Sequence, residues 1–366
     1  MPTRSDITIA LVGPFPPPAG GMAVQARRLA AGLRADGVRV IEAPTNPPWP
    51  AILRPLRHVP FVRTAITALL FRRRLRRAVR KADLFHVLAC SYLNFGLFTV
   101  PTLKRAHRRG TPVVVNYRGG HAERFFSNRP RALRWLKRAD ALSVPSGFLR
   151  DVFDRFGLDA VIVSNIAELD RFAYRDRTEI APHIVVTRHL EPWYNVGLAV
   201  RAFERVRAAR PQATLTIAGG GSERAALAAL VAERGIEGVT FLGPVPNDEM
   251  PDLLARCDLA LNPTNVDNMP ISVLEAYASG LPVVSTNVGG VPYIVTDGET
   301  GFLVPPDDEQ AMADRILWAC DHPAEAREAA RRGRERCTQY TWPVVREALW
   351  AVYEGVLAGV GPGGAL

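Results

Sequence analysis

With 366 residues, 48% of them hydrophobic and 22% charged, the chain is long enough for two separately cored domains, and its composition excludes a disordered or fibrous protein. The four cysteines, Cys90, Cys257, Cys320 and Cys337, are scattered with no Cys-x-x-Cys pair, which argues against a disulfide framework or thiolate metal centre and implies a reduced, cytoplasmic setting. The formal net charge is +10, and the excess is unevenly placed.

No basic-then-apolar leader is read at the start of the chain. "ITIALVG" (7–13) reads as a first strand and "MAVQARRLAAGLRADG" as the helix after it. Between them lies a Pro-rich loop ending in Gly20-Gly21. Such a loop either lets backbone approach a pyrophosphate or simply turns the chain. "VRVIEA" is a second strand. From Arg54 to Lys81 there is no acidic residue, and "FVRTAITALLFRRRLRRAVRKAD" sets Arg63, Arg72, Arg73, Arg74, Arg76, Arg77, Arg80 and Lys81 beside Phe61, Ile66, Leu69, Leu70, Phe71 and Leu75. This basic amphipathic segment, residues 61–81, suits an anionic membrane surface on the cytoplasmic side, a solvated helix face or, least, nucleic acid; no nucleic-acid partner is expected. The longest apolar stretch, "FHVLACSYLNFGLFTVPTL" (85–103), is broken by His86, Asn94, Gly96 and Pro101, and reads as a buried strand and helix, not a membrane span. "PVVVNY", "ALSVPS" and "AVIVSN" continue the strand series.

The polar, aperiodic "ELDRFAYRDRTEIAPH" (168–183) reads as a linker, after which the alternation restarts with "IVVTRHL" (184–190), "ATLTIAGGG" (213–221), "VTFLGPV" (239–245), "LALNPT" (259–264) and "PVVSTN" (282–287). Strand–helix alternation predicts an α/β fold of two Rossmann-like parallel-sheet domains facing a cleft, with ligands at the carboxyl ends of the strands. The expected bounds are 1–167, a linker at 168–183, and 184–340. A long amphipathic helix and a Gly-rich, frayed end follow over 341–366, the helix crossing back to the first domain.

"VDNMPISVLEA" (266–276) places two carboxylates, Asp267 and Glu275, around a helix start. Pro270 fits the first helical position and Asp267 or Asn268 can cap. The amides of Ile271 and Ser272, with the helix dipole, favour an anion. Glu275 lies about 7.5 Å further along the axis. The order acid, anion site, acid matches the sugar hydroxyls, diphosphate and ribose hydroxyls of a nucleoside-diphosphate sugar. A capping Asp followed by an exposed first-turn Glu gives the same spacing with no ligand.

The wider segment "NPTNVDNMPISVLEAYASGLPVVSTNVGGVPYIVTDGETGFLV" closely resembles the signature region of GT-B glycosyltransferases of family 4, the glycosyl transferases group 1. The matching positions are Asp267, Glu275-Ala276, Ser279-Gly280, Pro282, Gly289-Gly290-Val291-Pro292, Asp297-Gly298 and Gly301. "GPFPPPAGGMAVQ", "VPSGFLRDVF" and the closing "YTW" extend the resemblance over nearly the whole chain.

That resemblance implies that Asp267, an Asp where the family has Glu, holds the donor sugar and Glu275 the ribose. It implies that Arg188, in "VVTRHLEPWYNVGL", contacts the donor phosphates. The family's Lys-Gly falls on Tyr194-Asn195 here, and the only lysines, Lys81, Lys104 and Lys137, lie outside the second domain. Gly219, Gly220 and Gly221 would belong to the donor cleft, as would Gly20 and Gly21. Arg118 stands near the family's histidine position, with His121 three residues later; as catalytic candidates, Arg118 would contact phosphate in place of the missing lysine, and His121 would contact the donor sugar or the acceptor, or serve a structural role. The reaction implied is retaining transfer of a sugar from a nucleotide sugar to a glycan or lipid-linked acceptor, after domain closure, in polysaccharide, glycolipid or envelope glycan synthesis. No metal or other cofactor is expected, there being no Asp-x-Asp motif. An inactive GT-B scaffold acting as a membrane adaptor and a GT-B-like sugar-nucleotide epimerase are the rivals.

Overall fold

The computed structural model describes residues 4–17 and 20–359; the Gly-rich end expected to fray lies, from residue 360 on, outside the described residues. The chain divides into two compact units, one of residues 1–166 with 345–366 and one of residues 167–344.

In the first unit six parallel strands, β1 (Thr8–Gly13), β2 (Arg39–Pro44), β3 (Leu84–Ala89), β4 (Val113–Tyr117), β5 (Ala141–Val144) and β6 (Val161–Ile162), run in the order β2-β1-β3-β4-β5-β6. β1, β3 and β4 are buried along their whole lengths, as strands covered on both faces require. The strand order reverses between β1 and β3, where the following loops part and leave a crevice.

The second unit repeats the plan with β7 (His183–Val186), β8 (Thr214–Ala218), β9 (Val239–Gly243), β10 (Leu259–Asn262), β11 (Val283–Thr286) and β12 (Phe302–Val304), in the order β12-β11-β10-β7-β8-β9. Its reversal falls between β7 and β10, paired at Leu259 with Ile184 and Ala260 with Val185. β12 has only three residues and is the one strand the sequence did not disclose. The strand expected over 184–190 stops at Val186, freeing Thr187–Leu190 as a loop.

The polar stretch 168–183 is packed, not loose. Phe172 and Ile180 are buried, and the Arg177 guanidinium is 2% exposed. It donates to the carbonyls of Cys257 (2.9 Å), Ser279 (2.7 Å), Arg175 (3.0 Å) and Leu254 (3.2 Å), with Asp258 3.6 Å away. Burial pushes the Arg177 pKa down to about 10, so the group stays charged at neutral pH. An arginine satisfied by backbone carbonyls looks like a surface residue in sequence.

The last helix, Trp342–Leu357, belongs from Val345 onward to the first unit, as expected for a helix that crosses back. There Trp350 Nε1 donates to Asp36 Oδ2 (3.3 Å) and Arg346 Nη1 to Asp36 Oδ1 (3.2 Å). Deeper in, the Tyr353 hydroxyl meets Nδ1 of His86 on β3 at 2.8 Å, both residues being buried. Burial, helped by the Arg118 charge, drives the His86 pKa down to about 3, so the imidazole stays neutral and the hydroxyl can donate to it. At the other end of this unit's chain, Gln25 brackets the backbone of Ile166. Its Nε2 donates to the carbonyl (2.9 Å) and its Oε1 accepts from the amide (2.7 Å).

His86 Nε2 has no hydrogen-bond partner, so Tyr353→Phe leaves the ring with neither nitrogen satisfied. The expected cost is about 1 kcal/mol, read as a fall in urea midpoint of the first unit's transition.

Candidate functional site

The second unit's crevice is built from the loops after β7 and β10. These strands are neighbours, but the chain leaves them in opposite directions around the sheet, so their loops diverge. Arg188 sits in the first loop and Asp267 in the second. Arg188 Nη2 donates to Asp267 Oδ2 at 2.5 Å, and Nη1 donates to Ser272 Oγ at 3.1 Å. The guanidinium carbon lies 4.1 Å from the centre of the Tyr194 ring. Arg188 is only 9% exposed, and its Nε is buried with no hydrogen-bond partner. A strong donor set is thus gathered in a crevice and not fully used.

The Asp267 carboxylate is not a helix cap. Its Oδ1 accepts from the Asn268 amide at 2.9 Å and its Oδ2 serves Arg188. Burial raises its pKa above the ordinary carboxylate range, while Arg188 and the amides of Asn268 and Met269 pull it back. The helix itself is Ile271–Ala278; Pro270 stands at the N-cap position, one residue before the place expected for it, and no side chain caps the first turn. Glu275 is buried, not the exposed first-turn acid that the spacing alone allowed. Ser272 and Glu275, three apart, share a helix face. Arg188, Asp267, Ser272 and the Ile271 turn are therefore brought together, with Asn268 buried beside them and Glu275 further along the same face.

Glycines set the loop spacing. A Cβ on Gly219 would sit 1.9 Å from the Arg188 carbonyl oxygen, and one on Gly221 2.2 Å from that of Leu190. The Gly220 carbonyl accepts from the Leu190 amide at 3.0 Å. This triplet thus seats the Arg188 loop. The amide and hydroxyl of Ser222 donate to the Glu191 carboxylate (3.2 and 2.7 Å), so the chain entering the helix Arg224–Glu233 carries its own acid. Gly290 does the same work for the other loop: its amide donates to the Asp267 carbonyl (2.9 Å), and a Cβ there would lie 1.6 Å from the Asn268 oxygen.

The turn Pro192–Tyr194 was not among the expected site residues, yet it organises them. The Trp193 carbonyl accepts from the Asn265 amide (2.9 Å), the Val266 amide (3.3 Å) and Thr264 Oγ1 (3.2 Å), which staples the turn to the loop of Asp267. Asn195 is left-handed (φ 46°), and its Nδ2 donates to Asp307 Oδ1 (2.6 Å) and Asn265 Oδ1 (3.1 Å). Asn tolerates this conformation where most residues do not. Asn195 therefore takes the backbone role of a glycine, and Tyr194, read in the sequence as a departure from Lys-Gly, offers a π face to Arg188. The signal in the sequence was the departure from Lys-Gly itself.

The remaining expected residues lie in the first unit. Gly20 is extended at the N-cap of the helix Gly21–Ala35, and Gly21 is exposed. Arg118 follows β4; its Nε donates to Asn116 Oδ1 at 2.5 Å and its Nη1 to Asn165 Oδ1. Burial lowers its pKa to about 10. His121 is exposed at the N-cap of the helix Ala122–Asn128 and does not cap it with its side chain. Among the described residues no group of three His, Cys, Asp or Glu side chains is placed to hold a metal ion.

Residues 171–336 match the family model "Glycosyl transferases group 1", and residues 19–171 match "Glycosyltransferase Family 4". The chain belongs to this glycosyltransferase family. It is 32% identical over 229 residues to a glycogen synthase of Mycobacterium tuberculosis, covering 60% of this chain and 55% of the relative. It is 30% identical over 253 residues to the GDP-mannose-dependent alpha-(1-6)-phosphatidylinositol monomannoside mannosyltransferase of Mycolicibacterium smegmatis, covering 62% and 65%. The chain spans about half the length of the curated relatives it matches first. Sucrose-phosphate synthase from Thermosynechococcus elongatus shares the fold at TM-score 0.78 with 21% identity, covering 96% of this chain and all of that one. Anabaena Alr3699/HepE in complex with UDP-glucose does so at TM-score 0.73 with 18% identity, covering 94% and 99%. These neighbours establish the two-sheet GT-B fold.

The glycine spacing is testable in this family member without substrate. Gly290→Ala is expected to destabilise the second unit by about 1–3 kcal/mol, because the Cβ collides with backbone. Gly220→Ala, whose Cβ meets only the Pro244 ring at 2.9 Å, should cost less. Thermal melting of the two variants gives the comparison.

Proposed function

We propose that the protein is a retaining glycosyltransferase that moves a sugar from a nucleoside-diphosphate sugar to an acceptor hydroxyl, in polysaccharide, glycolipid or envelope glycan synthesis. The observation that carries this reading is the Arg188–Asp267–Ser272 cluster at the crevice, beside an uncapped helix start and in line with Glu275. The donor diphosphate takes the Arg188 fork, which suits phosphate geometry. Asp267, displaced from Arg188, turns to a sugar hydroxyl. The first amides of the helix cradle phosphate, and Glu275 accepts from the ribose. As the sugar–phosphate bond breaks, charge grows on the leaving diphosphate and Arg188 stabilises it. The departing phosphate oxygen takes the acceptor's proton, so the scheme assigns no metal. Support comes from the relatives: HepE is described with UDP-glucose, and the mycobacterial mannosyltransferase is GDP-mannose-dependent.

We also place the enzyme at an anionic membrane surface. In the helix Pro60–Ala78, Ala68, Phe71, Leu75 and Ala78 are buried, so this stripe serves the core, not a bilayer. Phe61 (89% exposed) and Leu69 (66%) remain outside, with Ile52 (86%) on the preceding turn. Arg72, Arg73, Arg76, Arg77 and Arg80 are exposed on the same stretch. Arg105, its pKa lowered first by burial and then by Arg76, Arg72 and Arg108, shows how crowded the positive charge is. Among the described residues no helix is long and apolar enough to cross a membrane. The second reading, an inactive scaffold docked on membranes, is favoured by Tyr194 standing in place of a second phosphate-binding cation.

Nucleotide binding separates these readings, and vesicle binding tests the membrane placement they share. One of UDP, GDP, ADP and CDP should raise the melting temperature, with or without Mg²⁺, by an amount equivalent to about 2.7 kcal/mol at 100 times its dissociation constant. Arg188→Gln should abolish the shift. Asp267→Asn should bind that bare nucleotide about tenfold more tightly, because Arg188 no longer has a competing anion, yet lose about a hundredfold in transfer rate. A chain that responds to no nucleotide is the adaptor. Changing Arg72, Arg73, Arg76, Arg77 and Arg80 to Ser should remove binding to phosphatidylglycerol vesicles, each charge contributing about 1 kcal/mol, while activity on a soluble acceptor persists. Unchanged vesicle binding would sink the membrane assignment.

A further inference from the structure

The first unit holds a cavity of about 560 Å³, lined in part by Pro17 and Met22, which flank Gly20 and Gly21 in sequence; the Arg188–Asp267 cluster of the second unit contributes none of its lining. It lies beyond the carboxyl ends of β1, β2 and β3, where that sheet's strand order reverses. Its walls combine apolar side chains (Pro14 after β1, Trp49 after β2, Leu88 at the end of β3, and Leu97 and Phe98 from the π-helical turn Phe95–Thr99) with a smaller polar share from Thr45, Thr64, Asn94 and Thr99. Thr67 and Arg63 face it from the helix Pro60–Ala78. The volume falls within the range of about 300–1,000 Å³ typical of small-molecule sites.

The cavity is held open by its own polar braces. Asn46, also in the wall, accepts from the Phe15 amide (2.9 Å) and donates to the carbonyls of Phe15 (2.6 Å) and Pro17 (3.1 Å). That ties the loop after β2 to the loop after β1. Arg63 is the one charged side chain among the described lining residues, and no Asp or Glu occurs between Glu42 and Asp83. The cavity is thus a chamber with more apolar than polar wall, one cation and no anion among the described lining residues. Its helix also carries the exposed Phe61 and Leu69 and the arginine row.

From this combination we infer that the cavity binds the hydrocarbon chain of a lipid-linked acceptor whose phosphate or diphosphate head meets Arg63. The inference rests on the glycosyltransferase reading above and specifies its acceptor. The apolar wall supplies affinity through buried methylenes, and Arg63 selects an anionic head over a neutral one. The exposed apolar side chains and the basic row keep the mouth at the bilayer surface, from which such a chain is drawn.

Dodecyl phosphate is the probe, with dodecyl maltoside and inorganic phosphate as controls, all below their micellar concentrations and followed by calorimetry on the full chain. One dodecyl phosphate should bind per chain, decyl phosphate about tenfold more weakly, and inorganic phosphate not measurably. Arg63→Gln should erase the preference for dodecyl phosphate over the maltoside. Thr67→Trp, which fills the cavity, should weaken dodecyl phosphate at least tenfold; Leu97→Trp fills it from the turn Phe95–Thr99 and repeats the test if the first variant misfolds. The nucleotide melting shift belongs to the second unit and should persist in every variant. Its absence from the unaltered chain would mark failure of the donor reading, whatever the lipid result. Binding of dodecyl phosphate that is indifferent to chain length or to both tryptophans overturns the cavity assignment. Phosphatidylglycerol vesicles distinguish the source of the chain. Vesicle binding that survives Thr67→Trp supports a dedicated acceptor site, and vesicle binding lost in parallel with dodecyl phosphate assigns the cavity to a bilayer lipid and overturns the acceptor proposal.

Discussion

A buried guanidinium has to be answered by its surroundings, and in the second unit those surroundings are organised around Arg188. A charge at 9% exposure without partners would be strongly destabilising, so Asp267, Ser272 and the face of Tyr194 converge on it. Each partner depends in turn on a backbone device. Asp267 is placed by the close approach of Gly290, Tyr194 by the Trp193 carbonyl and left-handed Asn195, and Arg188 itself by Gly219 and Gly221. The Nε left unsatisfied is the residue of this arrangement that a ligand can improve.

Both units exploit the same topological rule with opposite chemistry. Where strand order reverses, two loops leave neighbouring strands in different directions and a crevice opens at no packing cost. In the second unit the divergent loops bring charge: an arginine, a carboxylate and a helix start. In the first they bring proline, tryptophan and leucine, with the cation set on a neighbouring helix. One architecture therefore presents a charged crevice in one unit and a mainly uncharged one in the other.

The alternation of apolar runs was enough to read both parallel sheets, because strands buried on two faces are nearly continuous in apolar residues, and β1, β3 and β4 are interrupted only by Thr8, His86 and Asn116. β12 escaped because three residues carry no period. The stretch 168–183 misled because Arg177 solves its burial with backbone carbonyls, which leave no trace in side-chain pattern. Within the site, Arg188 and Asp267 were legible from position and resemblance, and the structure pairs them. Their mutual hydrogen bond was not legible, since it depends on two loops 79 residues apart in sequence. The glycines were visible as letters only; their reason is a distance to a carbonyl on another loop. Asp267 as a helix cap was a fair local reading that lost to a nearby guanidinium, a tertiary partner stronger than an amide.

The helix that ends the described chain has a consequence for how the protein is made. His86 and Asp36 find their partners Tyr353, Trp350 and Arg346 only after the whole second unit has been synthesised. At translation rates of about 5–20 residues per second, the nascent first unit waits roughly ten to forty seconds with His86 and Asp36 lacking the partners that the last helix brings. The second unit, contiguous in sequence, can complete itself meanwhile. Maturation thus runs from the middle of the chain outward, and a premature stop directly after Val344 yields a finished second unit attached to a first one that lacks its last helix.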